Sequence, residues 1–334
     1  MHRITSFVIA EANKVKKIGK EAPPPPLPKS SPHYFEKSVP SQFVLGKEKI
    51  KIKDRQVELL VKTYHPDAIL IEGSVEVSDI FSDGILSLKD ELIRACHQAA
   101  KKNGAKEEPA EEYTVYQISE YKNDPESFLE NKGAAIAGLL KSEKIPLDEK
   151  EISYTLSFQF KYGENDLTIV DWDGAFIFDP DGEFEEDIEL LELANYQLLR
   201  YRILDEDLDE RMSTVSKLTN LYEKKLRIFP DKEITQGFKE MIKIRSQSIV
   251  QFEAVERSIK LIGDWYSARL YDLVSKKFRL DNWKSIIKDK LESLEDSYQM
   301  VSEHMGISRI QSMEFIAQLG WLILIVLEFL SLTQ

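Results

Sequence analysis

Cysteine is nearly absent: Cys96 is the single thiol in 334 residues, so no disulfide can form within the chain. Set at helical spacing among Leu88, Leu92 and Ala99, Cys96 reads as a packed core residue, in spite of His97 beside it. A reducing compartment fits this usage. An excess of basic charge is also missing. Forty-five Lys and Arg stand against 58 Asp and Glu, a net charge of −13, which argues against broad binding to nucleic acid. The five histidines (His2, His33, His65, His97, His304) are scattered and form no zinc spacing. No phosphate loop, Gly-x-Ser-x-Gly elbow or paired dinucleotide glycines occur. The residues therefore nominate no catalytic group, cofactor or metal ligand, and the chain reads as a non-enzyme. Its first residues lack the order of a signal peptide, so export is not expected.

What is present falls into three parts. Residues 1–180 mix strand and helix signals, an α+β head. Ile4, Phe7 and Ile9 alternate with polar residues as a first strand. A proline-rich loop over 22–45 contains Pro23 to Pro28, which favours extended polyproline II and suits an aromatic-grooved partner or a plain connector. Leu59–Val61 and Ala68–Ile71 flank a turn at His65-Pro66-Asp67. A helix is expected from Ser87, with its hydroxyl as cap and Asp90 three residues on, to Gly104. Tyr113 to Ile118 reads as a strand, and Asp124-Pro125 opens another helix that runs to about Ser142. Three further strands are expected at Ile152–Tyr162, Leu167–Trp172 and Ala175–Phe178, with turns at Gly163 and Gly174.

After Gly182 the β pattern stops. Residues 183–312 read as a bundle or stalk of long helices: Phe184 to Arg227, Asp231 to Phe278, and one from Asp281 onward. Ile188, Leu191, Leu198, Leu208 and Val215 give the first an apolar face, and Trp283, Ile287, Leu291, Leu294 and Tyr298 give the third a seam. Helices of this length also suit pairing between copies, so a homo-oligomer is expected. The acids Glu183, Glu185, Glu186, Asp187, Glu189 and Glu192, then Asp205 to Glu210, read as a solvated face that complements a helix N-terminus, or as loose cation ligands. An EF-hand is excluded. With Gly182 or Gly174 at loop position 6, the first and last ligand positions hold Ile177 and Ile188, or Ile169 and Pro180.

The third part is residues 315–332, where Phe315, Trp321, Leu324, Leu327 and Leu330 belong to an apolar run whose one acid is Glu328. Eighteen helical residues span about 27 Å, close to a bilayer's hydrocarbon core. One C-terminal transmembrane anchor is expected, with a buried bundle helix as the competing reading. Glu328, near the far end, reaches an interface there. Lys284, Lys288, Lys290 and Arg309 precede the run, which places the head on the cytoplasmic or matrix side.

The strand Gly174 to Phe178, the helical segments Arg245-Ser246-Gln247 and Trp265 to Tyr271, and the terminal run Trp321 to Leu327 with its late Glu328 together resemble the YagE-like proteins. That group includes the "required for meiotic nuclear division" proteins of eukaryotes. The resemblance covers residues 170–332 and is architectural. It implies inner-membrane proteins that work as assemblies in support of organellar translation, and it carries over no catalytic residue. The expected function is a membrane-tethered, oligomeric scaffold with an unidentified protein partner. The alternatives are a CorA-like divalent-cation transporter lacking the usual Gly-Met-Asn, or an enzyme of unknown class in the head.

Overall fold

In the computed structural model the description covers residues 2–12, 20–21, 42–64, 67–121, 124–224, 232–259 and 265–332; some helical side chains, including 301–312, 315, 316, 319 and 322–332, lie outside it. The alternating N-terminus forms β1 (His2–Ala12), which lies inside the sheet and is buried on both faces. It pairs antiparallel with β5 (Ala68–Val77) on one side and β6 (Ala105–Ile118) on the other. Outward from β5 come β4 (Arg55–Tyr64), β3 (Gln42–Ile52) and the two-residue β2 (Lys20–Glu21). Outward from β6 come β9 (Gly174–Phe178), β8 (Leu167–Val170) and β7 (Gln159–Phe160). Among the described residues the sheet has nine strands, antiparallel apart from the β6–β9 pair. Residues 42–45, expected in the proline-rich loop, belong to β3. The turn at His65 and Pro66 and the run Pro23–Pro28 lie outside the described residues.

One face of the sheet carries Val8, Leu59, Val61, Ile71, Tyr116 and Phe176 and packs against α1 (Ile85–Lys102) and α2 (Pro125–Leu140). Cys96 sits in this layer with its thiol directed at the Ser6 carbonyl, 3.6 Å away. Two helix ends follow their expected chemistry. The Asp124 carboxylate accepts from the Ser127 amide at 2.8 Å, and α1 stops before Gly104, whose φ of 95° suits a residue without a Cβ. The start of α1 differs: Gly84, not Ser87, is the N-cap, and it offers no side-chain acceptor. A second difference lies at Ile152–Tyr162, expected as a strand. Glu149–Ser157 is a helix, α3, and only Gln159–Phe160 pair as β7. The Asp148 carboxylate accepts from the Lys150 amide at 2.9 Å and starts the helix.

Gly174 opens β9 for lack of space more than for turn geometry. A Cβ there would stand 2.6 Å from the Thr114 carbonyl oxygen, which is fixed backbone of β6. We expect Gly174→Ala to cost about 1–3 kcal/mol, read as a lower urea midpoint with unchanged slope.

The helical region divides otherwise than expected. The described residues of the stretch expected as one helix, Asp231–Phe278, form α5 (Lys232–Ile259) and α6 (Trp265–Lys277), after α4 (Glu185–Lys224) and before α7 (Leu280–Leu332); residues 260–264 lie outside the description. Two compact units form, Met1–Ile203 with Val255–Trp283, and Leu204–Ala254 with Lys284–Gln334. The start of α4 and all of α6 thus belong to the head, past the expected division at 180. Within the second unit, Leu208, Val215, Ile287 and Leu294 are buried. Lys290 bridges Asp205 and Asp209 at 2.6 Å each, and Arg211 joins Asp207 at 2.6 Å and the Ser248 hydroxyl at 2.9 Å.

Candidate functional site

The second face of the sheet holds α4. From Asp187 to Tyr201 this helix buries residues on every side, among them Ile188, Leu191, Ala194, Tyr196, Leu198 and Leu199. A helix buried all round must be enclosed. The contacts show how. Asp187 accepts from the Thr168 hydroxyl on β8 at 3.1 Å, while Glu189 accepts from the Gln42 amide at the start of β3 at 2.9 Å. Five strands separate β3 from β8 in the sheet order. A flat sheet would hold them about 29 Å apart, yet two residues of helix rise only about 3 Å. The sheet therefore curls around the first turns of α4, and α6 lies along the same helix. Tyr266 donates to Asp187 at 2.6 Å, Ser267 to Glu186 at 2.7 Å, and Tyr271 to Gln197.

Inside this wrap lies a group of charges. The Lys62 ammonium meets Glu72 at 2.8 Å and both oxygens of Glu192 at 2.9 and 3.0 Å. The Tyr64 hydroxyl donates to Glu192 at 3.0 Å. Glu192 is fully buried, and burial, with the Glu72 and Glu189 charges, pushes its carboxyl up to about 8 against the pull of Lys62. Burial alone would lower the Lys62 ammonium, but the Glu192 and Glu72 carboxylates more than offset this and raise it. Burial likewise raises Glu189, opposed by Lys62 and the Gln42 amide, and lifts Asp187 to about 6, opposed by its Tyr266 and Thr168 donors. The expectation of a solvated acidic face is thus overturned for Asp187 and Glu192. These acids point into the wrap and fasten α4 to strands far away in the chain.

A second group closes the neighbouring corner. Asp171, buried, meets Lys277 of α6 at 2.8 Å and Lys141 at 3.3 Å, and Lys141 also meets Glu151 at 2.9 Å. The Lys277 ammonium lies over the rings of Phe158 and Tyr154, 4.2 and 5.0 Å from their centres.

An ammonium has three donors. Those of Lys62 are directed at one oxygen of Glu72 and two of Glu192, which leaves none for a substrate. The chemistry is that of a fastening: Lys62 is shared between Glu72 and Glu192 inside the wrap. The sequence shows these acids as a run, but the partners of Glu189 and Glu192 on β3 and β4 stand 128 to 147 residues away, and those of Asp187 stand 19 and 79 residues away, which no local pattern reveals.

A family model described as "Uncharacterized protein MJ0711, N-terminal domain" matches residues 8–185. The chain belongs to the MJ0711 family. The uncharacterized protein MJ0711 of Methanocaldococcus jannaschii is 30% identical over 256 residues, which covers 76% of this chain and 76% of that protein. No solved structure matches. The matched region of the MJ0711 family runs from within β1 to the first residue of α4, so Asp187, Glu189 and Glu192 follow directly after it.

Of the expected anchor residues, Trp321 is exposed. The side chains of Phe315, Leu324, Leu327, Glu328 and Leu330 lie outside the description, although the backbone of α7 is helical through Leu332. Among the described residues no helix is long and apolar enough to cross a membrane.

Proposed function

We propose that this protein is a membrane-tethered interaction protein, working as a homo-oligomer, whose head binds a protein partner and performs no catalysis. The observation that carries this reading is α7. It is one helix of 53 residues, Leu280–Leu332, about 80 Å long, and it ends in the apolar stretch 315–332 with a single acid. The stretch has the length of a bilayer's hydrocarbon core, and the basic residues that precede it favour a head on the cytoplasmic or matrix side. The inward-turned charges of the head support a binding role, since they fasten α4 without offering a donor to a reactant. The resemblance to YagE-like proteins points the same way.

Carbonate washing of membranes from cells making the full chain tests the tether. We expect the chain to stay in the pellet and Leu324→Lys with Leu327→Lys to release it, since each charge costs about 2.5–3.5 kcal/mol at a helix centre in the bilayer. Release of both chains into the wash would remove the tether and leave 315–332 as a buried bundle helix. Ion flux through proteoliposomes would replace the scaffold with the transporter.

A further inference from the structure

The outer part of the sheet carries charge of the sign that the chain as a whole lacks. In a chain of net charge −13, Lys47, Lys49, Lys51, Lys53 and Arg55 stand close together, with Glu48 and Asp54 as the acids among them. Residues 46–52 of β3 pair with β4 in unbroken register. Paired residues share a face, so Lys47, Lys49 and Lys51 lie on one side with Leu60, Glu58 and Gln56, and Ile50 lies on the other with Val57. The Ile50 side packs toward α1 and leaves Ile50 half-buried. The lysine side is open: the Lys47 and Lys51 side chains are 61% and 67% exposed. On its outer flank β3 has a described neighbour at Phe43 and Val44, which pair with Glu21 and Lys20. Among the described residues no strand lies beside 46–52 on that flank.

Bare strand edges invite pairing, and lysine is one means of preventing it. This row excludes a second copy. Two β3 strands set antiparallel about Lys49 place Lys47 opposite Lys51 and Lys49 opposite itself. Protection alone does not account for the rest. The edge carries no bulge after Gly46 and no proline, and the apolar Ile50 stays half-covered beside it. The acids near the row hold it weakly. Glu58 meets Lys47, and Asp54 meets Lys51 at 3.6 Å, both pairs in solvent, where an ion pair exchanges readily for another acid. A strand added at this edge repeats every second side chain at about 6.7 Å, the spacing of the lysines themselves. Acids at its alternate positions meet Lys47, Lys49 and Lys51 in turn, and apolar residues between them cover Ile50. Nucleic acid fits less well, because the row offers no aromatic ring for a base to stack on and Glu58 stands within it.

We propose that the outer edge of β3, residues 46–52, is a docking site for an extended segment of a partner protein, which adds as a strand and carries acids at alternate positions. This names the chemistry of the protein partner in the reading above and rests on that part of it. The membrane tether does not enter.

The test is fluorescence anisotropy with a labelled peptide, Glu-Val-Glu-Val-Glu-Val-Glu, titrated into the full chain in detergent. We expect saturable binding, weakened at least tenfold by Lys49→Glu and by changing the peptide's glutamates to lysine. The lysine peptide should recover binding on a chain with Lys47→Glu, Lys49→Glu and Lys51→Glu together, which an unfolded variant could not give. Alternate amides of a strand point to the same side. N-methylating one alternate set should therefore weaken binding at least tenfold, and methylating the other set should leave it unchanged. Equal binding by both methylated peptides would mean attraction of charge alone and overturn strand addition. Equal binding by the Lys49→Glu chain, or displacement of the peptide by an equal concentration of oligouridylate, would overturn the acidic-strand site. Cross-linking in cells separates this site from the reading it rests on. A partner band kept by the triple variant overturns the edge and leaves the reading, whereas no band with either chain removes the partner itself.

Discussion

Measured at about pH 9, above the raised titration of Glu192, replacing Lys62 by methionine lowers the unfolding free energy by about 3–5 kcal/mol, the cost of leaving buried carboxylates without their partner. The side chain of Lys62 is 14% exposed, that of Glu192 0% and that of Glu72 17%, so water reaches this group poorly and screens it little. Methionine matches the length of the lysine stem, so packing changes little. The loss is electrostatic: the Glu192 carboxylate keeps the Tyr64 hydroxyl and loses two charge-assisted bonds. Adding Glu192→Gln to Lys62→Met should recover at least half of the loss, because the second change removes the stranded charge. The coupling between the two is the quantity to read, from urea unfolding of the four chains of a double-mutant cycle. If Lys62→Met costs less than about 1 kcal/mol, the group is not a fastening. Glu192 would then be protonated in the wild type, as its upward shift permits, and the methionine would cover a neutral acid.

This fastening shows which features can be read from sequence. The strand at Tyr113–Ile118, the helix opened by Asp124-Pro125 and the hairpin around Asp67 were legible because their causes are local: alternation, a capping carboxylate, a turn. At Ile152–Tyr162 two local signals conflict. Ile152, Tyr154, Leu156 and Phe158 alternate with polar residues as in a strand, while Asp148, Glu149 and Glu151 favour a helix start. The cap prevails, since β7 keeps only two residues of pairing with β8. The acids of α4 follow a different rule. A run of carboxylates normally faces water, and their inward direction depends on Lys62, Gln42, Thr168 and Tyr266, which only the curled sheet brings together. The apolar face expected for α4 is buried at Ile188, Leu191, Leu198, Leu208 and Val215, and near its start the helix is buried on its other sides as well, because it is enclosed there. The division into units also depends on long-range packing: α6 joins the head through Tyr266, Tyr271 and Lys277, although its sequence is that of an ordinary amphipathic helix.

The difference in stability between Asp187→Asn and the wild type should rise in the variant's favour by about 2 kcal/mol between pH 4 and pH 7. Asp187 is enclosed between α4, β8 and α6, and its carboxyl is lifted from 3.8 to about 6 by burial, in spite of its two hydroxyl donors. The folded chain therefore holds this proton more tightly than the unfolded one. Its contribution is full only well below pH 3.8, where both states are protonated, and is lost as pH rises through 6, where the folded state must ionise a carboxyl shut away from water. Asparagine has no proton to lose, so it is spared this penalty and still offers one oxygen to Tyr266 or Thr168. Surface acids held low by lysine, such as Glu58 beside Lys47 and Glu107 beside Lys101, act in the opposite direction. They are common to both chains and cancel in the difference. Urea midpoints at pH 4, 5, 6 and 7 give the curve. A flat difference would mean that Asp187 stays ionised through this range, held by its donors, and that burial does not dominate it. A loss of stability that continues above pH 7 in the wild type and in Asp187→Asn alike belongs to Glu192, whose carboxyl is shifted in the same direction for the same cause. The wrap around α4 would then tighten on mild acidification and loosen in base, the reverse of a fold held together by surface ion pairs.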